Sequence, residues 1–243
     1  MGLVQVFVQF KHQKANRFYM KNFQKEDLEK IKNYNEWELD YLSNGSPIFQ
    51  CKKFYTFSSD SIALAKSVKV NSGERVADLC AGTGIVGLEV AEHLAEKGIK
   101  DVSIDFVELQ ELVFPLLKEN TTINCSGLKL TPFLQSVQDF ASDSKNQGVY
   151  DTIVCNPPYF KKGSGKIGDN ETVAISRHEL FLSLEELFNS VAKISKPHSK
   201  FFMIHLSSRQ NEIIKTASKY GFSLCLSQEL SGKLSRTIYQ FER

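Results

Sequence analysis

From Arg75 to the C-terminus the sequence alternates short β-branched runs with longer amphipathic stretches, and few folds accept that order. A chain reading strand, helix, strand, helix buries its apolar faces by making a mostly parallel sheet with helices on both sides. "RVADLC" reads as the first strand, followed by the helix "GIVGLEVAEHLAEKG", which Gly98 ends. "DVSIDFVEL" is the second strand, and a helix with Pro115 in its early turns begins near Gln110. "LKLTPFLQSV" contains the third strand and "YDTIVCN" the fourth. The helix "FLSLEELFNSVAKIS", the strand "SKFFMIHL", the helix "SSRQNEIIKTASKYG" and the strands "FSLCLSQEL" and "RTIYQFER" complete a seven-stranded α/β sheet. A length of 243 residues with 42% hydrophobic content suits one such domain better than two.

Composition removes several other classes. No apolar run approaches the roughly 18 to 20 residues of a membrane span, and 18 Phe argue against disorder. Cys51, Cys80, Cys125, Cys155 and Cys225 have no paired spacing, so reduced packing thiols in a cytoplasmic protein are expected, with no metal site. "MGLVQVFVQF" has no basic segment before it and no cleavage site after it, which speaks against a secretory signal. Residues 1–25 carry Lys11, Lys14, Arg17, Lys21 and Lys25 and no acid, against a net charge of +2 for the whole chain. This arm reads equally as a polyanion-binding or a solubilising tail. Met20 opens the acidic–basic helix "KNFQKEDLEKIKNY", so residues 1–19 are read as an upstream start or a vector remnant. A monomer is expected.

"ADLCAGTGIVGLEV" places Gly82, Gly84 and Gly87 at the turn from the first strand into its helix, where a ligand can approach the main chain. Glu108 ends the second strand, the position of an acid that binds ribose hydroxyls. The loop alone leaves nicotinamide dinucleotides and S-adenosylmethionine both open. Asp78 leans toward the latter, since a carboxylate beside the turn repels a pyrophosphate and pairs with an ammonium; it can also anchor the loop through backbone N–H groups.

The fourth strand ends in Asn156-Pro157-Pro158-Tyr159. The prolines lack N–H and fix φ, so the segment stops the ladder and leaves its carbonyls free. The Asn156 side-chain oxygen and the Pro157 carbonyl can accept both hydrogens of an –NH₂ group and align its nitrogen with a methyl donor. Such acceptors stabilise the positive charge that develops on a conjugated nitrogen as it is methylated. Tyr159 offers a flat face to the substrate. After it comes "FKKGSGKIGDNETVAIS", which reads as a mobile loop.

Together, "DLCAGTG", Glu108 and "NPPY" resemble the class I Rossmann-like methyltransferases that methylate amino groups, and the order of "FYTFSSDSIALA", the glycine loop and "NPPYF" is similar to the group acting on adenine N6. Within it, the sequence resembles the bacterial enzymes that modify the adenine next to the anticodon of tRNA-Val. That resemblance divides the chain into an arm and helix at 1–37 and a methyltransferase domain at 38–243. It implies S-adenosylmethionine as cofactor and tRNA as partner. It also implies that Phe57, Ser58 and Asp60 line the methionine end of the donor, that Asp78, Gly82 and Gly84 form the glycine loop, that Glu108 holds the ribose, and that Asp139 with Phe140 meets the donor's adenine. Asn156, Pro157, Pro158 and Tyr159 take the catalytic positions, and "SRHE" at 176–179 resembles the segment that follows, with Arg177 gripping phosphate.

Lys161, Lys162, Lys166, Lys52 and Lys53 flank these motifs and are placed to meet RNA phosphates. A glutamine N5-methyltransferase of release factors and a guanine N2-methyltransferase of ribosomal RNA present the same –NH₂ chemistry and remain as alternatives. The release-factor enzymes carry a substantial N-terminal domain, for which about 70 residues ahead of Gly73 leave too little room. A nicotinamide oxidoreductase has no use for "NPPY", and a non-catalytic RNA-binding module would not be expected to keep Asn156 and Tyr159.

Overall fold

The computed structural model describes residues 37–51, 57, 59–124, 127–160, 181–232 and 234–243. The basic arm, the helix after Met20, the "FKKGSGKIGDNETVAIS" loop beyond Phe160 and the "SRHE" segment lie outside the described residues.

The elements run in this order: β1 (Trp37–Tyr41), β2 (Pro47–Cys51), α1 (Ser59–Ser67), β3 (Arg75–Leu79), α2 (Ile85–Glu96), β4 (Ser103–Glu108), α3 (Phe114–Ile123), β5 (Lys129–Leu134), α4 (Val137–Ser142), β6 (Tyr150–Cys155), α5 (Leu184–Ile194), β7 (Ser195–Leu206), a 3₁₀ turn (Ser207–Arg209), α6 (Gln210–Lys219), β8 (Ser223–Leu230) and β9 (Arg236–Glu242). The expected seven-stranded sheet is present, in the order β5-β4-β3-β6-β7-β9-β8. The pairs β3–β4, β3–β6, β4–β5 and β6–β7 are parallel, and β9 runs antiparallel to both β7 and β8.

The central parallel strands β3, β4 and β6 are buried on two faces, as parallel strands covered by helices must be. Successive side chains divide between two apolar layers. Val76, Val154, Phe202 and Ile204 face a layer with Leu64, Leu88 and Ala91 of α1 and α2. Ala77, Ile153, Phe201 and Met203 face a layer with Leu187, Phe188 and Val191 of α5. Phe188 sits there edge-on to Phe201 and Phe241, at 5.5 and 5.6 Å between ring centroids. Pro132 lies within β5, which an edge strand tolerates because one of its N–H rows faces outward.

Local chemistry sets the helix ends. Ser183 and Glu186 form a reciprocal capping box at the start of α5. Gly98 closes the α2 segment with a φ of 73°, its N–H bonded to the Ala95 carbonyl. The start of α2 is held from below: Asp78 is buried in β3, and the Gly87 N–H donates to its Oδ2 at 2.9 Å. Glycine is required at 87 because a Cβ there would strike the Phe106 ring, at 2.9 Å from Cζ. Burial pushes the Asp78 carboxyl up to about 7, with the nearby Glu108 charge adding to the effect against the Gly87 N–H.

The β1–β2 hairpin was not anticipated from the sequence. Its turn carries Gly45 at a φ of 89°, and Glu89 on α2 accepts from the Ser43 N–H at 2.7 Å. Asn120 on α3 is fully buried and joins the hairpin to the glycine loop. Its Oδ1 accepts from the Phe49 N–H at 2.7 Å, while its Nδ2 donates to the carbonyls of Phe49 and Thr83, each at 2.9 Å.

Two predictions follow from these contacts. Asn120→Ala strands three buried backbone groups and is expected to lower the urea-unfolding free energy by about 3 kcal/mol, with a loss under about 1 kcal/mol contradicting the role. Asp78 takes up its proton more readily folded than unfolded, so its contribution falls as pH rises from its ordinary 3.8 to about 7. Asp78→Asn keeps an oxygen for Gly87 and removes that slope; equal pH dependence of wild type and variant across the window would refute the assignment.

Candidate active site

The order of the sheet reverses beside β3, since β4 lies on one side of it and β6 on the other. At such a switch point the loops beyond the strand ends part and leave a crevice. Leu79 pairs with Cys155, so the residues that follow, the glycine loop from Cys80 and the motif from Asn156, leave the sheet side by side. A cavity of about 510 Å³ opens between them.

Its glycine-loop wall consists of Cys80, Ala81, Gly82 and Thr83, followed by Ile85 and Val86. Cys80 takes a left-handed φ of 58°, and Gly82 has a φ of 57° with no atom within 4 Å of where a Cβ would stand. The backbone at Gly82 is therefore open to the cavity. Glu108 stands beside it, nearly buried, with one carboxylate oxygen accepting from the Gly82 N–H and the other from the Gln110 N–H, each at 2.8 Å. Burial raises its pKa against the pull of these N–H donors. The Leu109 N–H and the Gln110 side chain also donate to this carboxylate, which stands in the cavity wall.

The opposite wall holds Asn156, Pro157, Pro158, Tyr159 and Phe160. The Asn156 Nδ2 donates to the Ser61 hydroxyl at 3.0 Å, and the Tyr159 hydroxyl donates to the Asn156 Oδ1 at 2.6 Å. The Tyr159 ring is 9% exposed, tucked between His205, 5.4 Å away between ring centroids, and the Arg236 guanidinium, 5.5 Å from its centroid. Its faces are thus mostly covered, and the most exposed aromatic of the cavity lining is Phe181, 55% exposed, whose carbonyl accepts from the Gln138 side chain. Burial, with the neighbouring Arg209 charge, drives His205 down to about 3, so it is neutral. Among the described residues Arg236 is the cation in the cavity wall.

Several residues expected at the site occupy other places. Asp78 lies beneath the loop and anchors α2 rather than lining the cavity. Gly84 begins α2 at a φ of 92°, against Leu117 and Leu88. Asp60 is outside the lining and pairs with the Arg236 Nε at 3.0 Å. Phe140 is fully buried against Phe133 and Tyr150, because Val137–Ser142 forms a short helix after the third strand that turns this ring into the core. Asp139 accepts from the Ser136 hydroxyl at 2.6 Å at the start of that helix, and the cavity wall there is formed by Gln135, Ser136, Val137 and Gln138. Phe57 does line the cavity, with its N–H donating to the Gln50 side chain at 3.0 Å. Ser58, Lys52, Lys53, Lys161, Lys162, Lys166 and Arg177 lie outside the described residues. Ser61 and Arg236 were not anticipated from the sequence: Arg236 sits in no motif, and Ser61, though inside "FYTFSSDSIALA", is one of several serines there.

Known proteins resemble this arrangement in both sequence and fold. The methyltransferase small domain family matches residues 55–204, which include both the glycine loop and the Asn156 motif. The tRNA1(Val) (adenine(37)-N6)-methyltransferase of Dyadobacter fermentans is 28% identical over 189 residues, 76% of this chain and 74% of that protein. The protein of the same description from Bacteroides fragilis is 30% identical over 183 residues, 72% and 73% of the two chains. Among solved structures, Pyrococcus horikoshii TYW2 in complex with MeSAdo shares the fold, with a TM-score of 0.58 at 13% identity over 86% of this chain and 71% of that one. With the family match spanning both walls of the cavity, the chain belongs to the methyltransferase small domain family.

Proposed function

We propose that this protein transfers a methyl group from S-adenosylmethionine to the exocyclic N6 of an adenine in tRNA, the adenine next to the anticodon of tRNA-Val. The observation that carries the chemistry is the placement of Asn156, with its amide held between two hydroxyls, across one cavity from the Gly82–Glu108 pair. The choice of adenine in tRNA is supported by relatives of that description at 28 and 30% identity.

The residues present suit the donor. A cavity of about 510 Å³ falls within the range of small-molecule sites. Glu108 presents a carboxylate in the cavity wall beside an open backbone at Gly82. The cation in the described wall, Arg236, lies over Tyr159 on the acceptor side, while Glu108 and the buried Asp78 attend the glycine loop. A pyrophosphate would meet carboxylates there, so a phosphate-free cationic donor fits better than a nicotinamide dinucleotide.

When bound, S-adenosylmethionine supplies an electrophilic methyl on sulfur. The Asn156 Oδ1 and the Pro157 carbonyl accept the N–H bonds of the incoming amine, favouring a pyramidal nitrogen and stabilising its developing charge. Ile85, Val86, Val107, Val113 and the two prolines make an apolar surround that limits water. His205, neutral and fully buried, does not act as base, which fits an amine that sheds its extra proton only after transfer. Phe160 and Phe181 offer flat apolar surface suited to a base, and a glutamine side chain has no such face to present. A tRNA substrate supports the reading of a cytoplasmic enzyme. Lys52, Lys53, Lys161, Lys162, Lys166 and Arg177 are proposed to receive its phosphates.

The decisive assay incubates the protein with labelled S-adenosylmethionine and either unmodified tRNA or a release factor, then identifies the labelled nucleoside. Label in N6-methyladenosine is expected; label on the release factor would replace the proposal with its rival. Asn156→Ala is expected to slow transfer about 100-fold with donor affinity nearly intact, and ordinary turnover would remove its role. Glu108→Ala is expected to weaken donor binding about tenfold in calorimetry, and unchanged affinity would contradict the ribose assignment.

A further inference from the structure

Ser61 is 1% exposed, sits on α1 and reaches the cavity wall. Its helix is fixed in two ways: Leu64 and Ala65 are buried in the core, and Asp60 pairs with Arg236 of β9 at 3.0 Å. The Ser61 hydroxyl is thereby delivered to the end of β6, where it accepts from the Asn156 Nδ2 at 3.0 Å. On the other side of the same amide, the Tyr159 hydroxyl donates to Oδ1 at 2.6 Å.

A side-chain amide can turn over and exchange its donor end for its acceptor end, and only one orientation offers an oxygen to an incoming –NH₂ group. The two hydroxyls around Asn156 are not equivalent. A phenol is the more acidic, with a pKa near 10 in its free form, and its oxygen shares electron density with the ring, so it prefers to donate. An aliphatic hydroxyl is the better acceptor. The amide is therefore most stable with nitrogen toward Ser61 and oxygen toward Tyr159, and the carbonyl keeps a second lone pair for the substrate amine.

We propose that Ser61 is a positioning residue for methyl transfer: its hydroxyl holds the Asn156 amide with Oδ1 turned to the acceptor nitrogen. The assignment rests on the methyl-transfer reading above and adds a residue to it. Without the hydroxyl, the amide N–H on that side loses its partner at 3.0 Å in a part-buried setting, and the amide rotates to satisfy it. Its donor end then faces the substrate amine, which is also a donor. The cost falls on the chemical step, because the donor's contacts at Gly82 and Glu108 are on the opposite wall.

The test compares full-length wild type, Ser61→Ala and Ser61→Thr in single-turnover methyl transfer to unmodified tRNA, with donor Kd by calorimetry and melting temperature measured on each. Ser61→Ala is expected to transfer at least about tenfold more slowly with donor Kd within about threefold of wild type, and Ser61→Thr, which keeps the hydroxyl, to recover most of the rate. A Ser61→Ala rate within about twofold of wild type, a loss carried by donor affinity, or a Ser61→Thr variant as slow as Ser61→Ala would each overturn the proposal. Wild type that binds the donor and methylates no tRNA would instead remove the functional reading, and the Ser61 assignment with it.

Discussion

The parallel pairing of β3 with β6, in the register that sets Leu79 against Cys155, is the constraint on which the site depends. Because β4 flanks β3 on its other side, the connections beyond β3 and β6 leave the sheet in different directions, and their first residues form the two walls of one cleft. A slip of one residue in that pairing would turn the β6 side chains to the other face and carry Asn156 away from Ser61. The apolar layers on both faces oppose such a slip, since Ile153 and Val154 belong to different clusters and would each lose its neighbours. Packing of the sheet and precision at the site are the same requirement.

Support for the glycine loop comes from several directions. Asp78 holds the first turn of α2 from below, Glu108 holds Gly82 from the side, and Asn120 of α3 holds Thr83 and ties it to the hairpin that precedes the sheet in the chain. Burial raises the proton affinity of both carboxylates, and the Glu108 charge raises that of Asp78 further, yet both remain where backbone N–H groups can face them. The loop is preorganised before any ligand arrives, and binding need not bear the cost of ordering it. On the acceptor side the same economy appears in Asn156, whose amide already has a hydroxyl at each end.

Residues that repeat with a period, or that cluster in a motif, were legible in the sequence. The alternation from Arg75 onward yields the seven strands, and Gly82, Glu108 and Asn156 could be placed at strand ends because each directly follows or ends an apolar run. What the sequence hid was long-range or context-dependent. The β1–β2 hairpin escaped notice because short strands give little periodicity, and its attachment to Asn120 spans 71 residues. Phe140 looks like a ligand contact only until the short helix at 137–142 turns its ring into the core. Tyr159 was read as an open platform, but Arg236 and His205, from β9 and β7, cover its ring. Ser61 is one serine among several in "FSSDSIALA", and only the approach of α1 to the end of β6 distinguishes it.

The measurement that tests the account most directly is a crystal structure of the protein with S-adenosylhomocysteine. The account predicts the nucleoside ribose within hydrogen-bonding distance of Glu108 and the sulfur turned toward the Asn156 oxygen, with the amide still held by Ser61. A ligand seated elsewhere, or one whose sulfur points away from Asn156, would contradict the joining of donor and acceptor in this cleft.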